Sequence, residues 1–242
     1  MNKLLLLACA AGFAFGSCRG FDQRQVKGNG NVTSETRTIT SANDIEIYGD
    51  FTVDIIPDPS TTSLTLDADA NLLPYIETGM DNGHLVIKTK EHTWLRPAGK
   101  MHVTIHTPKL ESVDISGSTI VTGKGKFSGG NKLELDISGD GKINLEVNTP
   151  KVSGTISGSG DMNIAGETQN LDVDISGSGN FWGENLKSED AKIEITGSGD
   201  AKVFADVQLK AGITGSGKIL YRGNGNVSSE ITGSGTVKKM EN

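Results

Sequence analysis

Carboxylates come closest to forming a chemical pattern in this 242-residue chain. Asp114, Asp136, Asp174, Glu194 and Glu230 each stand directly before an isoleucine. Neighbours along a strand point to opposite faces, so inward isoleucines would line these carboxylates along one outer face. Adjacent strands lie about 4.8 Å apart. A strip at that spacing could hold Ca²⁺ or a basic partner. Carboxylates about 5–5.5 Å apart also suit retaining glycoside hydrolysis, but any acidic ladder meets that spacing by accident. The plain alternative is a solvated face that keeps the protein soluble. From Leu110 to Asn242 there is no histidine and one arginine, Arg222. A base and a cationic clamp for an acidic sugar are therefore missing. The expectation is a protein that is not an enzyme, with no catalytic residue, metal site or cofactor.

The histidines, His84, His92, His102 and His106, all precede that region. His102 and His106 share the parity of one expected strand, about 13 Å apart at 3.3 Å per residue, too far for one metal. They read as solvent-facing strand residues. Trp182 follows Phe181; if Phe181 is inward, Trp182 is outward and could stack on a sugar ring or anchor a protein contact. Tyr221, two turns on, would be its company. The alternative is that Trp182 covers a corner. The sites of possible ligand contact are thus Trp182, Tyr221, Asp136, Asp174 and Glu194. The Gly-rich words lack the Gly-x-x-x-x-Gly-Lys pattern of a phosphate loop. A net charge of −7 without a basic block argues against nucleic acid.

The elements that position these residues are repeats. Ile-(Ser/Thr)-Gly recurs at Ile115, Ile137, Ile156, Ile175, Ile195, Ile213 and Ile231, at spacings of 22, 19, 19, 20, 18 and 18. Six residues after each isoleucine stand Val121, Ile143, Met162, Phe181, Ala201, Ile219 and Val237, apolar in every copy. Apolar and polar residues alternate around each Gly-rich turn, which is the period of a half-buried strand. A flexible Gly/Ser linker has no reason to keep that register. The pattern predicts an all-β fold, a right-handed parallel β-helix of about 18–22 residues per coil, rather than a propeller, whose blades need about 40 residues. Gly tolerates the positive φ and close approach of a tight corner. The Ser/Thr hydroxyls of the repeat are expected to satisfy corner backbone groups.

Residues 37–110 read as an irregular N-terminal β cap, with strands at Thr38–Thr40, Asp44–Tyr48, Phe51–Ile56, Ser63–Asp67 and Met101–Thr107. A hairpin turns at Asp81-Asn82-Gly83. This part is expected to cover the open edge of the first coils. No purpose can be read for the loop Glu91 to Ala98. Residues 111–242 form the seven-repeat array, so 37–242 is one β-helix domain. Lys238 and Lys239 would discourage edge pairing at the far end.

Ahead of the domain, Lys3 and the apolar run Leu4 to Phe15 read as an export signal over residues 1–17, too short to span a bilayer. The signal ends in Gly16-Ser17-Cys18. Of the chain's two cysteines only Cys18 would survive cleavage, without a disulfide partner. This predicts a lipoprotein acylated at Cys18; an ordinary secretory peptide is the alternative. Residues 18–36 read as a flexible tether, holding the domain about 20 Å from the membrane.

Asp69-Ala70-Asn71-Leu72-Leu73-Pro74-Tyr75-Ile76-Glu77-Thr78, then Asp81-Asn82-Gly83-His84-Leu85-Val86-Ile87, then the Ile-Ser-Gly-Ser-Gly array, resemble the bacterial auto-transporter adhesin, head GIN domain family over about residues 40–237. The resemblance implies a β-helical, exported and often lipidated adhesin at the periplasm or cell surface. It brings no catalytic motif. The expected function is a non-enzymatic lipoprotein of the cell envelope, at the outer membrane, presenting a rigid face as adhesin or scaffold to an extracellular protein or glycan. A carbohydrate-binding β-helix, or a degenerate polysaccharide-active enzyme, is the second reading. Self-association through coil ends is the third.

Overall fold

The computed structural model describes residues 24–241. The N-terminal part holds β1 (Arg24–Lys27), β2 (Val32–Arg37), β3 (Asp44–Gly49), β4 (Thr52–Pro57), β5 (Ser63–Asp69), β6 (Ile76–Asp81), β7 (His84–Thr89), β8 (Thr93–Arg96) and β9 (His102–Thr107). The repeat array follows as β10 (Ser112–Gly117), β11 (Ile120–Ser128), β12 (Leu133–Gly139), β13 (Lys142–Asn148), β14 (Lys151–Gly158), β15 (Asp161–Gly177) and β16 (Asn180–Gly197). It ends in β17 (Asp200–Phe204), β18 (Gln208–Gly215), β19 (Lys218–Arg222), β20 (Asn226–Gly233) and β21 (Thr236–Lys239).

The repeats wind into a β-solenoid. On one wall β10, β12, β14, the second halves of β15 and β16, β18 and β20 pair in parallel, each isoleucine of the repeat directly over the next. On the next wall Val121, Ile143, Met162, Phe181, Ala201, Ile219 and Val237 stack likewise. The isoleucines from Ile115 to Ile213 are buried, and burying each stabilises the fold by about 2 kcal/mol. Bulk is balanced between the walls. Gly154 leaves the space that Met162 and Phe181 fill, since a Cβ there would lie 3.1 Å from the Met162 sulfur.

The corner between the walls explains the glycines. Gly177 has φ +128°, and a Cβ on it would meet the Gly158 carbonyl oxygen at 2.4 Å. The corners close through backbone bonds between coils, such as Ser159 N–H to Gly139 C=O at 3.0 Å and Asp161 N–H to Gly141 C=O at 3.0 Å. The repeat hydroxyls do not serve here: Ser138, Ser157, Ser176, Thr196, Thr214 and Thr232 are exposed and bond no described residue. The strand geometry turns them outward, and the coil above already supplies the carbonyls.

The N-terminal part contributes coils of its own. Ile47 of β3 stacks on Ile115, and Ile87 of β7 stacks on Ile47. β4 and β9 extend the second wall in the same way. The stack does not follow chain order, because the later segment β7–β9 occupies the outermost position and β3–β4 the next. The expected edge cover is present as antiparallel strands: β6 pairs with β7, β5 with β9, and β2 with β5. The expected hairpin is there, with Asn82 and Gly83 both at positive φ.

Two expectations need correction. Residues 38–40 are not a strand; the chain pairs earlier, in β2. Residues 24–36, expected within a flexible tether, instead form β1 and β2. β1 pairs in parallel with β8, so the loop Glu91 to Ala98 holds one strand of a two-stranded ribbon. Val26 and Leu95 pack inward from this ribbon. Buried Asp69 then accepts hydrogen bonds from Gly30 N–H at 2.6 Å and Ala98 N–H at 2.9 Å. Polarity alone suggested a disordered leash, but strand pairing with distant partners satisfies this backbone. Residues 1–17 and Cys18 lie outside the described residues.

Candidate functional site

The acidic row is a feature of the first wall's outer face. Parallel register places Glu46, Asp114, Asp136, Thr155, Asp174, Glu194, Gly212 and Glu230 in one column. Asp136, Asp174 and Glu194 therefore share one face, as their spacing implied. Glu46 was missed, because Ile47 is followed by Tyr48-Gly49 and not by the repeat's Ser/Thr-Gly. Beside this column runs a second one of hydroxyls, from Ser116 through Ser138, Ser157, Ser176, Thr196 and Thr214 to Thr232.

The charges of the column are unevenly compensated. Glu46 meets His84 Nδ1 at 3.3 Å and accepts a hydrogen bond from the Tyr48 hydroxyl at 3.0 Å. That bond and partial burial raise the Tyr48 pKa. Glu194 meets Lys192 at 2.8 Å, an exposed pair worth little to stability. Asp114, Asp136 and Asp174 have no ion-pair partner among the described residues. Desolvation and the like charges of Asp136 and Glu46 push Asp114 above the ordinary carboxyl range. Among the described residues no group of three or more His, Cys, Asp or Glu side chains is arranged to hold a metal ion.

Trp182 points outward from the second wall, as expected. Lys202 sits over its ring at 4.8 Å from the centroid and also lies 3.7 Å from Glu184. One ring face is therefore occupied. Tyr221 does not join it. The residue two coils above Trp182 is Leu220, through Lys202. Tyr221 stacks instead on Val203 and packs against the core. Trp182, Lys202 and Leu220 each stand seven residues after their repeat isoleucine and Tyr221 stands eight after Ile213, so Tyr221 falls on the opposite face of its strand.

The histidines tie the N-terminal strands together. His102 lies between two carboxylates, Nε2 3.3 Å from Asp54 and Nδ1 3.7 Å from Asp67. His106 Nδ1 lies 3.5 Å from Asp58, whose carboxyl is held down to about 2 by hydrogen bonds from the Ser60 backbone and hydroxyl. The two imidazole nitrogens of His102 face different carboxylates, so the group cross-links strands and does not converge on one ion.

This combination of stacked coils, capped end and polar outer face has known relatives. The family described as "Putative auto-transporter adhesin, head GIN domain" matches residues 42–225. Among solved structures, a "putative adhesin" from Bacteroides fragilis NCTC 9343 is 20% identical, with TM-score 0.83 over 89% of this chain and 100% of its own. A "putative lipid binding protein" from Parabacteroides distasonis ATCC 8503 is 23% identical, with TM-score 0.74 over 90% and 100%. A "putative adhesin" from the same strain is 25% identical, with TM-score 0.71 over 89% and 100%. No curated protein matches the chain.

Proposed function

The chain belongs to the auto-transporter adhesin, head GIN domain family, and on that premise we propose that it is a non-enzymatic adhesin or scaffold of the cell envelope. It would be acylated at Cys18, held at the outer membrane, and would engage an extracellular protein or glycan through the flat first wall. The observation that carries this reading is the register of that wall. It fixes a column of carboxylates beside a column of hydroxyls on a rigid parallel sheet. The backbone that carries these side chains cannot shift without breaking the stack beneath it, so their spacing is preorganised for contact. Asp114, Asp136 and Asp174, unpaired among the described residues, favour a cationic surface on the partner.

Binding to immobilised basic proteins and to a glycan array tests the proposal. Replacing Asp136 and Asp174 by Asn should weaken capture about tenfold or more and flatten its salt dependence. Capture unchanged by these substitutions would remove the first wall from the account. If Trp182→Ala alone abolishes glycan capture, the carbohydrate-binding reading takes its place. Metabolic labelling with a fatty-acid analogue tests the anchor: Cys18→Ala should lose the label.

One observation favours self-association as a second reading. At the C-terminal end Val227 is 40% and Ile231 41% exposed, and among the described residues the outer edges of β20 and β21 are unpaired. An open edge with apolar side chains is a template for a second copy. Light scattering across concentration, with Lys238 and Lys239 neutralised, should show growth of the dimer. A monomer at every concentration would exclude it.

A further inference from the structure

The ribbon of β1 and β8 stands where the coils of the repeat array turn in a tight Gly-containing corner. At that point the outermost coil leaves the wall at Thr89 and returns at His102, carrying β8 across the gap. The excursion places little in the core besides Leu95 and Met101, yet it is held firmly. Four residues of β8 pair with β1. Asp69 accepts from the loops on both sides of the ribbon, and Asn71 donates to the Lys27 carbonyl at 2.8 Å. Gly28 is obligatory, since a Cβ on it would meet Asp69 Oδ2 at 2.1 Å.

The inward side of the ribbon carries Val26 and Leu95. Its outward side carries Gln25, Lys27, Trp94 and Arg96. Trp94, at 62%, is the most exposed large hydrophobic residue described. Lys27 and Arg96 flank it and form no ion pair among the described residues. In a chain of net charge −7, residues 24–31 and 90–100 hold a single carboxylate, Glu91, against Arg24, Lys27, Lys90, Arg96 and Lys100. A rigid surface with an exposed indole between cations is suited to the headgroup region of an anionic bilayer, where Trp rings and Lys/Arg side chains are both stabilised.

The length of chain ahead of the ribbon selects that occupant. Cys18 is six residues before Arg24, a span of at most about 20 Å when fully extended. The long leash expected from sequence is gone, because β1 is already paired.

We infer that the outward face of the β1–β8 ribbon, centred on Trp94 with Lys27 and Arg96, seats on the anionic surface of the membrane that holds the N-terminal lipid. The solenoid is then oriented by two contacts, an acyl anchor and a protein surface, with its capped end toward the bilayer. This rests on acylation at Cys18.

The experiment supplies the anchor chemically, so that failed acylation in cells and failed docking give different results. A chain beginning at Cys18, which retains every described residue, is coupled through that thiol to maleimide lipid in phosphatidylglycerol vesicles. Trp182→Phe leaves Trp94 as the only tryptophan. The Trp94 emission should shift to the blue and be quenched by brominated acyl chains. Uncoupled protein should bind the same vesicles weakly, with Lys27→Gln and Arg96→Gln each lowering the bound fraction about fivefold. Emission unchanged from that of the soluble protein, with no quenching while coupled, would overturn the inference. So would full quenching that survives both charge substitutions and high salt on phosphatidylcholine. Protection of Trp94 by a soluble saccharide, without quenching by lipid, would assign the ribbon to a glycan instead.

Discussion

At the N-terminal end of the stack Ile87 and Ile47 are fully buried; at the C-terminal end Ile231, in the same row, is 41% exposed. All three isoleucines stand on the same kind of strand. What differs is the neighbour. β6 covers β7 and β5 covers β9, whereas among the described residues β20 pairs with β18 alone. In a parallel stack a side chain is buried by the coils above and below it, so one local sequence yields a core residue or a surface residue according to its place in the pile. The two ends are therefore finished for different purposes, one sealed by antiparallel strands and the ribbon, the other left open.

The sharpest test of that contrast compares equivalent truncations. Ile175→Ala, in mid-stack, should destabilise the protein by about 4 kcal/mol, and Ile231→Ala by about 1 kcal/mol, in denaturant unfolding. Equal losses would mean that the open end is covered in solution. The corner glycines give the next largest effect. Gly177→Ala should cost about 3 kcal/mol, because positive φ is compounded by the Gly158 carbonyl at 2.4 Å. Gly129→Ala, with φ +88° and no atom within 4 Å of a Cβ, should cost about 1 kcal/mol. Thermal melts of the two variants separate steric clash from torsional strain.

At the sealed end, Asp69→Ala should cost about 2 kcal/mol by leaving the Gly30 and Ala98 N–H groups without their acceptor. Hydrogen exchange should show β1 and β8 released while β14 and β15 stay protected. Release of the whole array would make the ribbon part of the core.

The smallest effect concerns two carboxylates on different walls. Burial would raise Asp161, but hydrogen bonds from Lys142 at 2.7 Å and Asn180 at 2.9 Å prevail and lower it. Asp114 lacks such partners and is raised by desolvation and by Asp136. The stability that Asp161 contributes is present above the ordinary value of 3.8 and is lost as pH falls through its lower folded value. The penalty from Asp114 acts above its raised folded value and vanishes below 3.8. At pH 7, then, Asp161→Asn should destabilise and Asp114→Asn stabilise, each by about 0.3 kcal/mol given solvent screening. Both differences should fade in urea titrations near pH 3.

Much of this architecture was legible because the repeat constrains itself. Each isoleucine specifies the side chain of the next coil, and a column of seven is hard to mistake. The N-terminal coils were harder. Ile47-Tyr48-Gly49 and Ile87-Lys88-Thr89 keep the inward isoleucine but not the Ser/Thr-Gly word, so the row seemed to start at Ile115. The ribbon was invisible because β1 and β8 are four residues each and lie some 70 positions apart, with no periodicity inside either to announce the pairing. The acidic column could be read to within Glu46. The company of Trp182 shows only when positions are counted from the repeat isoleucine: Trp182 is seven residues after Ile175 and Tyr221 eight after Ile213, and that one-residue offset reverses the face.

The order of the stack has a consequence for biogenesis. β3 and β4 are the first coil strands made yet end up inside the pile, between the later β7–β9 coil and the still later β10–β11. While the chain is being synthesised, both edges of this pair stay open until those segments arrive. Premature stacking there is a hazard that a chaperone bound to those edges would relieve. Once the β7–β9 coil and its antiparallel cover are in place, new coils can join only at the far end. Duplication of a repeat would then lengthen the solenoid at its open end while the capped end stays as it is.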